Sequence, residues 1–340
     1  MKIYILIIFI FFYSNSLFAK SLFDTEFYEI KFVSDNVEDT KIKKIKDIKY
    51  ESINKIFKRI LTNDDYRLLK KNLNENLINT FIKNVIFEDE KIINNNYFSN
   101  IKINYNKKKI ITYLRVNKIN YVEFIPDNFL TIIYNKSFFE KTLFSKHNDF
   151  YNYLLSVNLN FYQLPNLDLN DRYILHHSYI EKKNINKIKK FAKKYNNSEI
   201  IIVIAEKIKK NINYNFYLFT NNKLYPIKHF SQHEIDFYEL FTYLKDEVIN
   251  IWKINNSIQN EFTNSLNCSI KYFNLLELKE ILKNMNNILI IDKKKLVNLS
   301  YKEKIYHISF FGNLKILSRL FQNNNLKIIN KNNICKISLL

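Results

Sequence analysis

Two aspartates three positions apart, Asp168 and Asp171, are the residues of this sequence best placed to do chemistry. They lie in the segment Leu164–Arg172, at the end of an apolar stretch, and α/β domains bind ligands at strand ends. Two carboxylates at this spacing could hold a cation or act as acid and base, with Arg172 as a further ligand-binding candidate. Alternatively, Asp168 forms a turn and Asp171 caps a helix or pairs with Arg172. We favour this second interpretation because local capping accounts for both residues.

The histidines do not indicate a metal site. His229 and His233 have the spacing at which helical side chains bind zinc, but the residues between them lack the glutamate of a zinc protease. Pro226 and a capping signal at Ser231 also place His229 before the predicted helix. We therefore expect no metal, and the sequence indicates no cofactor.

Glycine is nearly absent, which excludes several classes of enzyme. The chain has a single glycine, Gly312. Phosphate-binding loops and dinucleotide-binding folds need glycines where the backbone approaches the ligand closely, and neither motif is present. The nucleophile elbow of ordinary serine hydrolases is missing as well. The sequence therefore argues against nucleotide-dependent enzymes and serine hydrolases.

Cys268 and Cys335 are the two cysteines of the chain. They could form a disulfide in an oxidising compartment, or they could remain free and buried, as many cysteines do. Their spacing does not decide between these alternatives. No Cys-x-x-Cys motif occurs, so thiol–disulfide exchange is not indicated.

The first residues follow the order of a secretory signal peptide. Lys2 supplies a positive charge, Ile3–Tyr13 is apolar and aromatic, and a short, mostly polar stretch ends in Ala19. The apolar run is well short of the roughly 20 residues that a bilayer-spanning helix needs. We expect cleavage after Ala19 and export to the periplasm. No cysteine follows Ala19, so a lipid anchor is not expected.

The formal net charge of +20 comes mainly from lysines spread along the whole chain. Arginine, the side chain suited to bidentate phosphate contacts, is scarce. An exported protein also rarely meets nucleic acid, so we expect no nucleic-acid partner. Weak association with an anionic membrane or a cell-wall polymer stays open, although a solvated lysine surface explains the charge more simply.

The pattern of apolar residues predicts an α+β protein of several domains. We expect the signal peptide over 1–19, an N-terminal α+β domain over 20–126, a mixed α/β middle domain over 127–256 and a C-terminal domain over 266–340. The last domain has the β-α-β-β-α-β order of the ferredoxin-like split motif. An additional strand at Ile334–Leu339 is expected at the edge of its sheet.

Local patterns in the N-terminal domain predict a helix and a hairpin. Leu77–Val85 has the apolar spacing of a helix. Ile101–Tyr105 and Ile110–Val116 are rich in β-branched residues, and a lysine-rich turn separates them. We therefore expect these two segments to form paired strands.

Local patterns in the middle domain predict a strand, a hairpin and a helix start. Leu159–Leu164 has the composition of a strand that Pro165 ends. Asn221-Asn222 is a favourable turn pair between two strand-like stretches. Ser231, with Glu234 three positions later, forms a capping box, so we expect a long helix to begin there.

Three longer segments carry a family resemblance. Phe27–Val33, followed by Asp39 and the helix that ends at Arg59-Ile60-Leu61, is similar to the start of the family. Leu164–Arg172 resembles its Leu-Pro-x-x-Asp-x-x-Asp segment, and Tyr195–Ile204 resembles a helix end with the strand that follows. The family is the proteobacterial exported domain of unknown function 2066. Its alanines and glycines are largely replaced here by Lys, Ile and Asn.

The resemblance implies export, an α+β multidomain structure and no assigned activity. With the signal peptide and the lack of a catalytic constellation, it leads us to expect a non-catalytic binding or assembly factor of the cell envelope. Its partner would be an envelope protein, and the sheet edges of the third domain are candidate contact surfaces. The alternative is a periplasmic metal-dependent hydrolase that uses the Asp168/Asp171 segment.

Overall fold

The computed structural model confirms the α+β class, with eleven helices and three β-sheets among the residues that it describes. The expected signal peptide lies outside the described residues. No helix in the described part of the chain is long and apolar enough to cross a membrane. The described residues are 21–136, 141–143, 147–157, 159–166, 168–208, 211–234, 236–331 and 334–340.

The chain divides into two compact units. One unit extends to Arg59 and resumes over Lys70–Ile110, and the other comprises Ile60–Leu69 and Ile111–Leu340. The first unit contains one sheet and the second contains two. The domain boundaries expected near residues 126 and 256–266 stay predictions.

A three-stranded antiparallel sheet with the order β1-β3-β2 forms the centre of the first unit. Helix α1 is long because its apolar residues recur on one face, and Ile53, Ile56 and Phe57 on that face are fully buried. The elements up to residue 116 are β1 (Tyr28–Val33), α1 (Val37–Ile60), α2 (Asn63–Asn72), α3 (Glu75–Phe81), β2 (Ile82–Ile93), β3 (Asn96–Tyr105) and α4 (Lys107–Val116).

The helix expected over Leu77–Val85 is only partly present. Asn74 caps α3 by accepting a hydrogen bond from the backbone N–H of Leu77 at 3.0 Å, and the helix ends at Phe81. From Ile82 the chain is extended and pairs with β3. The prediction was therefore wrong over the last four residues, where antiparallel pairing with the next strand, β3, overrides the helical spacing.

The predicted hairpin between Ile101–Tyr105 and Ile110–Val116 was also wrong. The first segment is part of β3, but its partners are β1 and β2. The second segment belongs to α4, which Asn106 caps through a hydrogen bond from the Lys109 N–H at 3.1 Å. Its apolar residues are compatible with a strand or a helix, and the cap at Asn106 favours the helix.

The middle of the chain forms a seven-stranded mixed sheet with the order β10-β8-β7-β4-β5, in which β6 pairs with β4 and β9 with β8. Strands β4 and β7 are parallel and almost wholly buried, as their continuous β-branched sequences predict. The elements are β4 (Phe129–Lys136), β5 (Lys141–Thr142), α5 (Asp149–Val157), β6 (Tyr162–Gln163), α6 (Leu169–Ile174), α7 (His177–Glu181), α8 (Ile185–Lys194), β7 (Ile200–Ile208), β8 (Asn211–Thr220), β9 (Lys223–Pro226), β10 (Phe230–Gln232) and α9 (Phe237–Asn256).

One of the three local predictions for this region is confirmed in full. Asn221 and Asn222 have positive φ angles of 51° and 59°, as a tight hairpin turn between β8 and β9 requires. The strand expected over Leu159–Leu164 is limited to β6. Ser231 does not cap a helix, because it lies in β10 opposite Asn213, whereas Asp236 caps α9 by accepting from the Glu239 N–H at 3.0 Å.

The third sheet has the strand order β12-β13-β11-β15-β14. The first four strands and two helices of this region follow the predicted β-α-β-β-α-β order. Gly312, with φ of 79°, makes the left-handed turn from β13 to the cap of α11 at Asn313. The elements are β11 (Thr263–Lys271), α10 (Leu275–Asn286), β12 (Ile291–Ser300), β13 (Glu303–Phe311), α11 (Leu314–Asn323), β14 (Leu326–Lys331) and β15 (Ile334–Leu339).

The additional strand β15 is present but is not at the edge of the sheet. It lies between β11, to which it is parallel, and β14, to which it is antiparallel. Cys268 of β11 and Cys335 of β15 are directly opposite each other and are joined by a disulfide. The edge position was therefore wrong, because a short hairpin with β14 carries β15 back into the sheet.

Candidate functional site

The Asp168/Asp171 segment is an ion-paired helix start. Asp168 caps α6 by accepting from the Asp171 N–H at 2.7 Å. The fully buried Asp171 carboxylate contacts the Lys194 ammonium at 2.7 Å and accepts a hydrogen bond from the Tyr195 hydroxyl at 2.5 Å. Lys194 Nζ also lies 2.7 Å from both carboxylate oxygens of Asp168. Arg172 is exposed.

This cluster joins α6 to α8. The Lys194 hydrogen bond and the Asp171 N–H hold the pKa of Asp168 below its usual value. Burial alone would lower the pKa of Lys194, but its bonds to the two carboxylates outweigh burial and raise it. A cation bound by Asp168 and Asp171 would have to displace the Lys194 ammonium. Capping and pairing therefore account for these residues, but the expected cap at Asp171 was wrong, because Asp168 provides it and the buried Asp171 carboxylate pairs with Lys194. A ligand role for them stays a prediction.

The described residues contain no cluster of three or more His, Cys, Asp or Glu side chains that could hold a metal ion. His229 lies in the loop before β10, and His233 lies in the bend after it. The ring of His233 is 3.3 Å from the amide oxygen of Asn211. The helical spacing of the two histidines therefore does not occur in this fold.

A cleft of about 790 Å³ in the second unit brings together residues from five separate stretches of chain. They come from the segment before β4, the segment from the end of α8 to β7, and the helices α9 and α11, with Gln163 from β6. The residues used below are Phe124, Asn128, Gln163, Asn197, Glu199, Trp252, Lys315, Ser318 and Arg319.

Side-chain amides form one wall of the cleft. Nδ2 of Asn197 donates hydrogen bonds to the amide oxygens of Asn128 at 3.1 Å and Gln163 at 2.9 Å. Its own oxygen accepts from the Glu199 N–H at 2.9 Å. Within the described chain, Nδ2 of Asn128 and Nε2 of Gln163 have no hydrogen-bond acceptor. Two amide donors are therefore present for a ligand.

Glu199 is a buried carboxyl group in this cleft, with only 6 % of its surface exposed. One carboxyl oxygen lies 3.5 Å from the Lys315 ammonium and accepts from the Ser198 hydroxyl at 3.3 Å. The Thr220 hydroxyl and the Trp252 indole N–H are near enough to lower the pKa of this carboxyl group, although they and the other carboxyl oxygen form no hydrogen bond of standard geometry among the described residues. A buried carboxyl oxygen without a partner is costly and is a frequent mark of a functional site.

Burial raises the pKa of Glu199 above its usual value of 4.5. The nearby Thr220 hydroxyl and Lys315 ammonium offset part of this effect, as do the Trp252 indole and the Ser198 hydroxyl. Burial therefore disfavours the charged form of this carboxyl group.

Lys315 and Arg319 are the cationic residues that line the cleft, and Asp127 and Glu199 are the acidic ones. Lys315 and Arg319 are four positions apart on α11, so both lie on one exposed face of that helix. The Arg319 guanidinium lies 5.9 Å from the centre of the Phe124 ring. An adjoining pocket of about 600 Å³ shares Lys315 and adds Lys189 and Lys193. This arrangement can bind anionic groups.

We expect the replacement of Glu199 by glutamine to increase stability more at high pH than at low pH. The pKa of Glu199 is higher in the folded state than in the unfolded state. Its contribution to the free energy of unfolding is therefore fully present below the unfolded-state pKa and is lost as the pH rises through the folded-state pKa. Glutamine is neutral at every pH. Unfolding free energies from urea titrations between about pH 4 and about pH 8 measure the difference.

The matched control for this measurement is Glu280→Gln, in an exposed part of α10. Its effect on stability should change little with pH. A difference between Glu199→Gln and the unmodified chain that stays constant over the whole pH range would contradict the raised pKa.

Comparisons with known proteins identify no relative for this chain. No family model matches it, and no match is found among curated proteins or solved structures. The proposals below therefore depend on the sequence and on the geometry of the sites.

Sequence reasoning did not find the cleft. It predicted α11, the strand after Tyr195 and the long helix that carries Trp252, but nothing in their local patterns places them side by side. The available signal was weak: Arg319 is one of only a few arginines, and it follows Lys315 at helical spacing. Such a pair is common on solvated helix faces, so it indicates a site only when the facing residues are known.

Proposed function

We propose that this chain is an exported, non-catalytic binding or assembly factor of the cell envelope. We propose further that its cleft binds an acidic segment of an envelope protein. The observation that carries the proposal is the pair of cations Lys315 and Arg319 on one exposed face of α11, in the same cleft as two amide donors without acceptors.

A peptide with acidic side chains suits these groups. Its carboxylates would pair with the guanidinium of Arg319, which can bind a carboxylate through two hydrogen bonds, and with the Lys315 ammonium. The main-chain carbonyls would accept from the amides of Asn128 and Gln163. Phe124 offers an apolar contact on the same wall.

Three features support export. The first residues have the pattern of a signal peptide, and the resemblance to domain of unknown function 2066 implies an exported protein. The disulfide between Cys268 and Cys335 is of the kind that persists in an oxidising compartment such as the periplasm. We propose cleavage after Ala19, which the intact mass of the protein recovered by osmotic shock would test.

Site-specific photocrosslinking in cells tests the cleft. A photoreactive amino acid at Ser318, a half-buried position of the cleft on α11, should capture one envelope protein reproducibly. The same group at the exposed Lys283 of α10 serves as the position control. The captured region, made as a synthetic peptide, should be acidic and should bind the purified protein.

Replacing both Lys315 and Arg319 by glutamine should weaken that peptide at least about tenfold, because two charge-assisted contacts are lost. The matched control is Lys279→Gln with Lys283→Gln, an exposed pair of the same spacing on α10. Equal binding by the unmodified chain and the cleft variant would refute the proposal. So would equal weakening by the control pair, because charge alone would then explain binding.

A further inference from the structure

Two loops at one end of the third sheet carry large apolar side chains that project into solvent. The turn from β11 to α10 and the start of that helix contribute Phe273, Leu275 and Leu276, and the end of β12 with the turn to β13 contributes Leu299 and Tyr301. We call these five residues the apolar tip. Their exposed fractions are 84 % for Phe273, 65 % for Leu275, 75 % for Leu276, 60 % for Leu299 and 89 % for Tyr301.

The two loops form one patch, because a hydrogen bond joins them. The Tyr272 N–H donates to the Lys302 carbonyl at 3.1 Å, directly beyond the last pair of the β11–β13 ladder, Lys271 and Glu303. The two loops that carry Phe273 and Tyr301 are therefore neighbours at this end of the sheet. Single exposed apolar residues are normal, whereas a cluster of them marks an interaction surface.

The loop that carries Phe273 is held in a defined conformation. Asn274 caps α10 by accepting from the Glu277 N–H at 2.9 Å, and Glu277 accepts from the Phe273 N–H at 2.7 Å. This arrangement resembles a capping box, except that the glutamate accepts from the residue before the cap. The apolar side chains are thus presented on a fixed turn, so little conformational entropy is lost when they are buried against a partner.

Two lysines and two glutamates lie at the base of the apolar tip. Lys271 and Lys302 are exposed at its base, and the Lys302 ammonium lies 5.4 Å from the centre of the Tyr301 ring. The acidic groups of this end are Glu277, which accepts from Phe273, and Glu303, which is opposite Lys271. Long lysine side chains can lie along an apolar surface while their charges reach an aqueous or headgroup layer.

We propose that the apolar tip inserts into the surface of an anionic lipid bilayer. Projecting Phe, Leu and Tyr side chains with lysines at their base are suited to the boundary between acyl chains and anionic headgroups. A second copy of this chain is a poorer occupant, since two chains with a net charge of +20 repel each other. The proposal is independent of the cleft.

Vesicle flotation of the protein purified from cells tests the proposal. The protein should bind vesicles of phosphatidylethanolamine with about one third phosphatidylglycerol, and it should bind phosphatidylcholine vesicles less. The triple variant Phe273→Ser, Leu276→Ser, Tyr301→Ser should lose at least about tenfold in partitioning, because three apolar groups no longer leave water. The matched control replaces three exposed apolar residues on other helices, Leu68, Val116 and Tyr238, by serine and should bind normally.

A fluorescence measurement reports insertion directly. The sole tryptophan, Trp252, is buried, so it provides a constant background for a second tryptophan introduced by Tyr301→Trp. Its emission should shift to shorter wavelength when anionic vesicles are added. Lys271→Gln with Lys302→Gln should weaken binding to anionic vesicles and leave binding to neutral ones unchanged.

Three results would overturn the proposal. One is the absence of vesicle binding by the unmodified chain, and another is binding by the triple tip variant equal to that of the unmodified chain. The third is self-association without vesicles that the triple variant abolishes, which would assign the tip to a second copy. None of these results bears on peptide binding in the cleft, so the two proposals fail separately.

Discussion

Replacing both Cys268 and Cys335 by alanine is expected to lower the free energy of unfolding by about 2 to 4 kcal/mol. The disulfide links residues 67 positions apart, and a link of that length removes much of the chain entropy of the unfolded state. Both cysteines are also buried, so the change removes apolar contacts. The effect should be large because the link holds the parallel strand β15 against β11.

Urea unfolding followed by circular dichroism measures this effect. The unmodified chain treated with a reductant is the matched control, because it loses the cross-link and keeps the sulfur atoms. It should account for most of the loss. Unchanged unfolding midpoints in both samples would show that the disulfide contributes nothing to stability.

Replacing Asp171 by asparagine is expected to lower the free energy of unfolding by about 3 kcal/mol. The Lys194 ammonium then loses the buried carboxylate that compensates its charge. Lys194→Met should also destabilise, since the buried Asp171 carboxylate then loses its cation. The double variant should cost less than the sum of the two single changes by at least about 1 kcal/mol. Thermal and urea unfolding of the four proteins measure this coupling.

The same segment also allows a test of the alternative, a metal-dependent hydrolase. If Asp168 and Asp171 bind a cation, adding Mg²⁺ or Mn²⁺ should raise the melting temperature, and asparagine at both positions should abolish the rise. The ion pair with Lys194 leads us to expect no rise in the unmodified chain. A metal-dependent rise that the double variant loses would favour the hydrolase.

Local contacts explain the parts of the fold that the sequence predicted. Asp168 begins a helix because its side chain reaches a backbone N–H only three residues away. The Asn221-Asn222 turn forms because both residues tolerate positive φ, which the hairpin requires. These interactions depend on near neighbours, so they are visible in the sequence itself.

The wrong predictions share one physical origin. Ile82–Val85 and Ile110–Val116 are apolar segments whose patterns fit a helix or a strand. Pairing with β3 makes the first a strand, and the cap at Asn106 makes the second a helix. Ser231 has the residue types of a helix cap, but its backbone pairs with β8, so Asp236 takes that role. Propensity is too small to oppose pairing of this kind.

By itself, the sequence determined the α+β class, most helix and strand positions, and a helix start near Asp168, because each depends on residues close together in the chain. Only the tertiary structure decided that β15 lies inside the sheet, that Cys268 meets Cys335, and that Lys194 pairs with Asp171. The cleft and the apolar tip are also visible only in the tertiary structure. Their residues come from separate elements, and strand pairing over long separations, which local patterns do not encode, brings them together.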